Sequence, residues 1–169
     1  MWAEALTFFT GPIDTTKIII RGGADVAENY DVAAARETDS AIVEPRPGMV
    51  VVIDPGAIGK LVVSSAAYDR RVAGVISGAN GVQPGLILGQ KDSVADGELP
   101  VAHVGRVWCL CDADANGPIE SGDLLVASDS PGHAMKVSDF ARSQGAVLGK
   151  AMSRLDKGRG LVLVLVSLQ

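Results

Sequence analysis

The sequence predicts an all-β protein, and three observations support this fold class. Short apolar runs rich in Val, Ile and Leu alternate with turns that contain Gly and Pro, a pattern typical of strands joined by tight connections. Glycine accounts for 20 of 169 residues and aromatic residues for only 4%, so the core must consist of small branched side chains. Residues 138–142 alone resemble a helix, with Ser138 as N-cap. We therefore expect a compact barrel or sandwich with at most one short helix.

Along residues 1–46, short β-branched stretches predict strands around one polar segment. The assignments are a strand or helical turn at 2–9, and strands at 17–20, 27–32 and 41–43. Residues 33–39 are polar and irregular, which predicts a loop. Because the run at 2–9 has large rings to bury, we expect a neighbouring subunit to cover it. This region is interpreted as N-terminal strands and an oligomer-contact segment.

Residues 47–99 and 100–169 are interpreted as two tandem copies of one small β module. The first copy has strand candidates at 49–53, 60–64 and 72–76, followed by 86–88. Similar segments recur about 74 residues later, and such a steady spacing indicates an internal repeat. The matches are Gly48 with Gly122, Gly59 with Gly132, Val63-Ser64 with Val137-Ser138, and Val72-Ala73-Gly74 with Val147-Leu148-Gly149. The strands at 100–111 and 161–168 are predicted to be buried, and residues 112–122 to form a loop.

Composition argues against several classes of function. The formal net charge is −5 and the pI about 4.9, whereas nucleic-acid and anionic-lipid surfaces need a basic patch. No apolar run reaches the roughly 18 residues of a membrane span, and residues 1–12 lack the features of a secretion signal. Cys109 and Cys111 are too close on one strand to form a disulfide, so we expect a protein made in the reducing cytoplasm. Hydrophobic residues make up 47% of the chain, and another copy is expected to cover part of them.

A calcium loop is the first of two metal-binding patterns. Asp112, Asp114 and Asn116, followed by Gly117, have the spacing with which an EF-hand-type loop begins. The twelfth position is Asp123 where a bidentate Glu is expected, and no helices are predicted on either side. A polar turn is therefore favoured over a calcium site, which stays an open alternative.

A soft-metal site is the second pattern. His103, Cys109 and Cys111 lie on one face of the strand at 100–111. At about 3.3 Å per residue, His103 is about 20 Å from Cys109, and a structural zinc site needs four ligands. His133 is the other histidine of the chain. Packing of the thiols in the core is therefore favoured.

Nucleophilic and phosphate-binding patterns give no catalytic assignment. The candidates are Ser128, Asp129 and His133, a pairing of Ser64 or Ser65 with Lys60 or Lys150, the glycine-rich residues 77–81, and the loop Asp69-Arg70-Arg71. The first group lacks a nucleophile elbow, the second has no supporting spacing, and the third precedes no helix. The loop is interpreted as solvated or ion-paired, with a subunit contact as the second interpretation.

Residues 68–78, Tyr-Asp-Arg-Arg-Val-Ala-Gly-Val-Ile-Ser-Gly, followed by Pro84-Gly85, carry a family resemblance. This segment resembles the C-terminal modules of phage tail-fibre and neck-appendage proteins, including the self-cleaving intramolecular chaperones classed as peptidase G2. The likeness extends to bacterial proteins of unknown role through residues 117–120, 122–125, 131–136 and 161–169, and covers about residues 47–169. It implies a β-rich module, commonly a homotrimer, that caps or registers a fibrous appendage. Self-cleavage in that group needs a particular Ser/Asp environment, to which no residue here is matched.

The resulting expectation is a non-enzymatic, homo-oligomeric structural module of a phage-like appendage or virion, most simply a trimer. Its partners would be itself and an appendage shaft protein, with no nucleic acid, membrane or cofactor. One alternative is a self-cleaving domain that uses Ser, Asp and His residues from loops of adjacent subunits. The other is a small-ligand or glycan-binding module, for which Trp2, Trp108, Tyr30 and Tyr68 would supply the aromatic platform.

Overall fold

The computed structural model describes residues 10–36 and 42–168, and almost all of their regular structure is β. The strands are β1 (Asp25–Tyr30), β2 (Val32–Ala33), β3 (Ala35–Arg36), β4 (Ile42–Val43), β5 (Val50–Ile53), β6 (Leu61–Val63), β7 (Val72–Ile76), β8 (Leu86–Leu88), β9 (Leu99–Asp112), β10 (Leu124–Ala127), β11 (Ala134–Lys136), β12 (Val147–Ala151) and β13 (Arg159–Ser167). Two short helices, α1 (Ala113–Asn116) and α2 (Phe140–Ser143), and a 3-10 turn at Ala79–Gly81 complete the described structure. In this part of the chain, no helix has the length and apolar character needed to cross a membrane.

The long strand β9 closes a β-barrel. From β9 the sheet runs through β13, β12, β10 and β11, and β11 pairs with β9 again through Ala134 and Cys111. The β9–β13 ladder is the longest pairing, from Asp112 opposite Arg159 to Val104 opposite Ser167. On the other side of the path, β9 continues into β7, β5, β6 and β2, while β1 pairs with both β9 and β8. The predicted all-β class is confirmed, and the architecture is a closed barrel with added strands.

The barrel core is made of small branched side chains and thiols. Val107, Cys109 and Cys111 of β9 are fully buried beside Leu125 and Val162. Alternate residues on a strand point to opposite faces, so these three share the inward face as predicted. The prediction that both faces of β9 are buried is wrong, because Val104 is 60% exposed and Arg106 is exposed. The exposure is limited to the middle of the strand, since Val101 and Ala102 are fully buried in two different core clusters.

Two three-stranded units of the sheet have the same strand order. The orders are β7-β5-β6 and β12-β10-β11. The bulge in the first unit lies between Val51 and Val52, and the bulge in the second lies between Leu125 and Val126. The strand of each unit that comes last in the chain pairs with the long strand that follows it, β7 with β9 and β12 with β13. The sheet therefore reads the same way outward from the β9–β13 ladder in both directions.

Equivalent backbone hydrogen bonds close the two units. The amide of Gly48 donates to the Ile76 carbonyl at 2.8 Å, and that of Gly122 donates to the Ala151 carbonyl at 2.8 Å. Both glycines have positive φ, 92° and 98°, a conformation that glycine adopts without steric penalty. At the second strand of each unit, the sequence offset between equivalent residues of the two units is one residue shorter than in the sequence match. Val63 and Lys136 occupy equivalent positions opposite Val51 and Leu125.

Several sequence predictions need correction. Residues 17–20 form no strand and are exposed, and they pair with none of the described strands. The predicted loop at 33–39 contains the short strand β3, and α1 lies in the predicted loop at 112–122. Helix α2 has Asp139, not Ser138, as N-cap, since the Asp139 carboxylate accepts the amides of residues 141 and 142. The expected run at 2–9 and residues 37–41 lie outside the described residues.

Candidate functional site

Exposed apolar side chains lie on residues 18–20 and on the strands β1, β8 and β9. We define the apolar face as Ile18, Ile19, Ile20, Val26, Leu86, Ile87, Leu88 and Val104, all of which are exposed. Ile20, Val26, Leu86 and Val104 line one groove of about 250 Å³, and β8 extends the surface along β1 through the pairs Ala27–Ile87 and Glu28–Leu88. Large exposed apolar patches are uncommon on monomers.

All three residues of strand β8 are exposed. Leu86, Ile87 and Leu88 are 42%, 49% and 49% exposed. Because consecutive residues of a strand point to opposite faces, β8 presents apolar side chains on both sides. Its described pairing is with β1 alone, in parallel. Among the described strands, none pairs with the other edge of β8, and such edges are normally covered or blunted.

A buried carboxylate lies beneath the groove. Asp25 begins β1 and is only 4% exposed, yet neither of its carboxylate oxygens has a hydrogen-bond partner. The hydroxyl of Ser77, 3% exposed, also has no partner in hydrogen-bonding geometry. Burial raises the pKa of Asp25, although the nearby Ser77 hydroxyl acts in the opposite direction. An unpaired carboxylate beside an unpaired hydroxyl can act as a base or receive a donor from another molecule.

The histidine and cysteine candidates do not form a metal site. His103 lies near Tyr30, with ring centroids 5.6 Å apart, and its Nδ1 is 2.8 Å from the Ala73 carbonyl oxygen. Its buried Nε2 has no partner. Cys109 and Cys111 are free thiols in the core, and the interaction with the Cys111 side chain, together with burial, raises the pKa of Cys109. Within residues 10–36 and 42–168, no group of three or more His, Cys, Asp or Glu side chains is arranged to hold a metal ion.

The three oxygen-bearing residues of the calcium pattern turn to different partners. Asp112 Oδ2 accepts hydrogen bonds from Arg159 Nε at 2.9 Å and Ser130 Oγ at 2.7 Å. Asp114 Oδ1 accepts the amide of Gly158 at 2.8 Å, and the Asn116 side chain donates instead of accepting. Asp112 is the N-cap of helix α1, whereas Asp114 and Asn116 lie within that helix. The pattern therefore encodes a helix cap and an ion pair, since Asp112 Oδ1 also accepts the Asp114 amide.

The side chains of the proposed nucleophile group take different partners, although the Ser128 amide donates to the His133 carbonyl at 2.9 Å. Ser128 Oγ donates to Asp129 at 3.2 Å, whereas His133 Nδ1 lies 2.8 Å from the Pro131 carbonyl oxygen. Burial lowers the pKa of His133, and the nearby Arg159 adds to this effect. Lys60 contacts Asp31 and the Asp96 carbonyl, so it supplies no base to Ser64, whose buried hydroxyl is unpaired.

The remaining candidates are the loop at 69–71 and the four aromatic rings considered for a glycan platform. In the loop at 69–71, Arg71 forms the predicted ion pair with Asp69 at 2.6 Å, whereas Arg70 does not take part. Of the four rings considered for a glycan platform, Tyr68 is buried, Tyr30 and Trp108 are half-buried, and Trp2 lies outside the described residues. Asp25 was not among the predicted site residues, and Ser77 was considered only as part of the glycine-rich residues 77–81. Nothing in the local sequence marks them, because their burial depends on strands far away in the chain.

No protein-family model matches this chain, and a search of curated proteins found no relative.

Proposed function

We propose that this chain is a non-enzymatic structural module that assembles with copies of itself, most simply as a trimer, in a phage-like appendage. The exposure of β8 carries this proposal, since three consecutive apolar residues face solvent on both sides of a strand whose other edge pairs with no described strand. A second copy is the occupant that best fits the face. Residues 18–20 of that copy form an apolar segment that pairs with none of the described strands. This segment can supply the strand that would pair with the free edge of β8.

The apolar face is large enough to drive association. Burying one Leu, Ile or Val side chain contributes about 1.5–3 kcal/mol, so burial of eight half-exposed ones contributes on the order of 10 kcal/mol. Ordering and loss of rigid-body freedom oppose this by an estimated 4–15 kcal/mol. Repetition of the contact around a closed ring adds further interfaces without an open end. The favourable and opposing free energies are of similar size, which favours a small closed oligomer. The appendage role rests on the family resemblance of residues 47–169.

We further propose that the two sheet units descend from one duplicated module. Equal strand order, equivalent bulges and the matching Gly48 and Gly122 closures support this origin. Under this interpretation β9 belongs with the first unit, as β13 belongs with the second. The boundary between the copies then lies after β9 and not before residue 100.

Absolute mass by light scattering tests the assembly. The native chain is expected at three times its 17.4 kDa mass. The variant Ile87→Asp places a charge on the apolar face and should give monomers. Ile58→Asp is the matched control, because Ile58 is 85% exposed but lies on the turn between β5 and β6, and it should remain assembled. A monomeric native chain at micromolar concentration, or an assembled Ile87→Asp variant, would refute the proposal.

Self-cleavage is a second candidate function, and the unpaired Asp25 and Ser77 side chains favour it. In this reaction the Asp25 carboxylate takes the proton of the Ser77 hydroxyl, and the oxygen attacks a peptide carbonyl. The peptide C–N bond breaks, the amine leaves with the proton, and water hydrolyses the acyl-serine. Mass spectrometry of the purified chain over days should then show two discrete fragments that Ser77→Ala abolishes and the exposed control Ser65→Ala retains. An intact native chain would rule this candidate out.

A further inference from the structure

We propose that a pocket beside Tyr68 binds a small oxyanion, a free carboxylate or phosphate group, between Arg70 and Arg142. The pocket has a volume of about 320 Å³ and is lined by Tyr68, Arg70, Ala141, Arg142 and Gln144. No residue of the apolar face lines it. This proposal therefore does not depend on the oligomeric assembly.

Tyr68 gives the pocket a rigid wall. Its backbone has φ of +59°, which is uncommon for a residue with a side chain. Its hydroxyl oxygen accepts the amides of Ser138 and Asp139, both at 3.0 Å, and the Asn116 side-chain amide at 3.2 Å. Burial of the ring opposes ionisation, but these donors outweigh it and lower the pKa of Tyr68. The ring is thus held in one position by groups from two separate segments.

The two arginines are held at the pocket without neutralisation. The guanidinium carbon of Arg142 lies 4.5 Å from the centroid of the Tyr68 ring, a cation–π contact, and its Nη2 donates to the Ala67 carbonyl at 3.3 Å. Arg70 lies over Gly145, since a Cβ at that glycine would be 3.5 Å from Arg70 Nε. Neither arginine forms an ion pair with a carboxylate of the described residues.

Three other arginines are paired, whereas Arg21, Arg46 and Arg106 also form no ion pair with a described carboxylate. Arg71, Arg154 and Arg159 each form an ion pair at 2.6–2.9 Å, and the chain has 20 acidic against 15 basic residues. Asp139, which precedes α2, directs its carboxylate to backbone amides of that helix at 3.0 and 3.1 Å. Two guanidinium groups beside an aromatic wall therefore remain available. Their planar donor forks match the paired oxygens of carboxylates and phosphates.

Titration of the tyrosines in the full-length protein tests the proposal. The chain has two tyrosines, and burial raises the pKa of Tyr30 whereas that of Tyr68 is lowered, so the lower phenolate transition reports on Tyr68. A bound anion disfavours the phenolate. Inorganic phosphate or acetate, added at constant ionic strength against chloride, should shift this transition to higher pH and reach saturation. Saturation by both anions indicates a carboxylate-type site, and saturation by phosphate alone a phosphate-type site.

Three variants separate the site from general charge effects. Arg70→Gln should raise the dissociation constant at least about tenfold without affecting folding, because Arg70 is exposed. Arg142→Gln should weaken binding similarly, and it should also shift the Tyr68 phenolate transition to higher pH in the absence of ligand. Arg154→Gln removes an exposed arginine elsewhere and should bind like the native protein. An unsaturated response to both anions, or equal binding by Arg70→Gln and the native chain, would overturn the proposal.

Discussion

Replacing Asp25 with asparagine is expected to stabilise the fold at neutral pH. Asp25 is 4% exposed, and both carboxylate oxygens lack partners. An unsatisfied buried polar group costs about 1–3 kcal/mol, and more when it is charged. Asparagine keeps the shape and removes the charge but leaves an unpaired amide, so we expect a gain of about 1–2 kcal/mol. For a chain of this size, that corresponds to a rise of about 3–6 °C in Tm.

The gain should depend on pH in a defined direction. Burial raises the pKa of Asp25 above its ordinary value of 3.8, so the folded state binds this proton more readily than the unfolded chain. The penalty is therefore fully present above the folded-state pKa and disappears as the pH falls toward 3.8. The difference in stability between Asp25→Asn and the native protein should shrink over that interval.

Urea and thermal unfolding of both proteins between acidic and neutral pH measure this effect. Asp14→Asn is the matched control, since Asp14 is exposed, and it should leave stability within about 0.5 kcal/mol of the native value. A less stable Asp25→Asn variant, or a difference that does not change with pH, would refute the reasoning that the carboxylate is buried without a partner. Dissociation of the assembly in Asp25→Asn would show instead that a neighbouring copy supplies the partner.

Three further substitutions should each lower stability, as measured by urea unfolding. Gly149→Ala should cost about 3 kcal/mol, because its Cβ would collide with the backbone of β13, and a loss below about 1 kcal/mol would contradict the close approach. Asp112→Asn should cost about 2 kcal/mol at neutral pH. Burial opposes ionisation of Asp112, but Ser130 and Arg159 lower its pKa below 3.8. The stabilisation by the ionised carboxylate should therefore be lost as the pH falls below that value. A loss of stability in Asp112→Asn that does not change with pH would contradict the pairing. Tyr68→Phe should cost about 2–3 kcal/mol by leaving three donors unpaired, whereas Tyr30→Phe, which loses one hydrogen bond, should cost less than about 1.5 kcal/mol; equal losses would contradict the network.

Most strands could be predicted because their signals are local. Residues 72–76 and 86–88 were assigned with the bounds that the structure has, since β-branched runs bounded by glycine turns have few alternatives. Residues 17–20 have the same composition and form no strand. β-propensity describes fit to a partner surface, and whether a partner strand lies beside a segment cannot be read from the segment itself.

The candidate sites were less accessible to sequence reasoning. The inward placement of Cys109 and Cys111 follows from the two-residue period of a strand and was predicted. The pairing of Asp112 with Arg159 was not, because 47 residues separate them. Arg70 and Arg71 are adjacent in sequence, yet one lines a pocket and the other pairs with Asp69. Identical side chains acquire different roles from neighbours that only the fold supplies.

By itself, the sequence determined the all-β class, the strand spacing and the recurrence of glycine-started segments, since these depend on periodicity and on backbone conformations within a few residues. The tertiary structure decided barrel closure, the edge of β8 that no described strand covers, the unpaired carboxylate of Asp25 and the meeting of Arg70 with Arg142. Each of these depends on segments distant in the chain, and burial, pairing and charge neutralisation are properties of neighbours in space. The self-association, self-cleavage and oxyanion proposals rest on this second group.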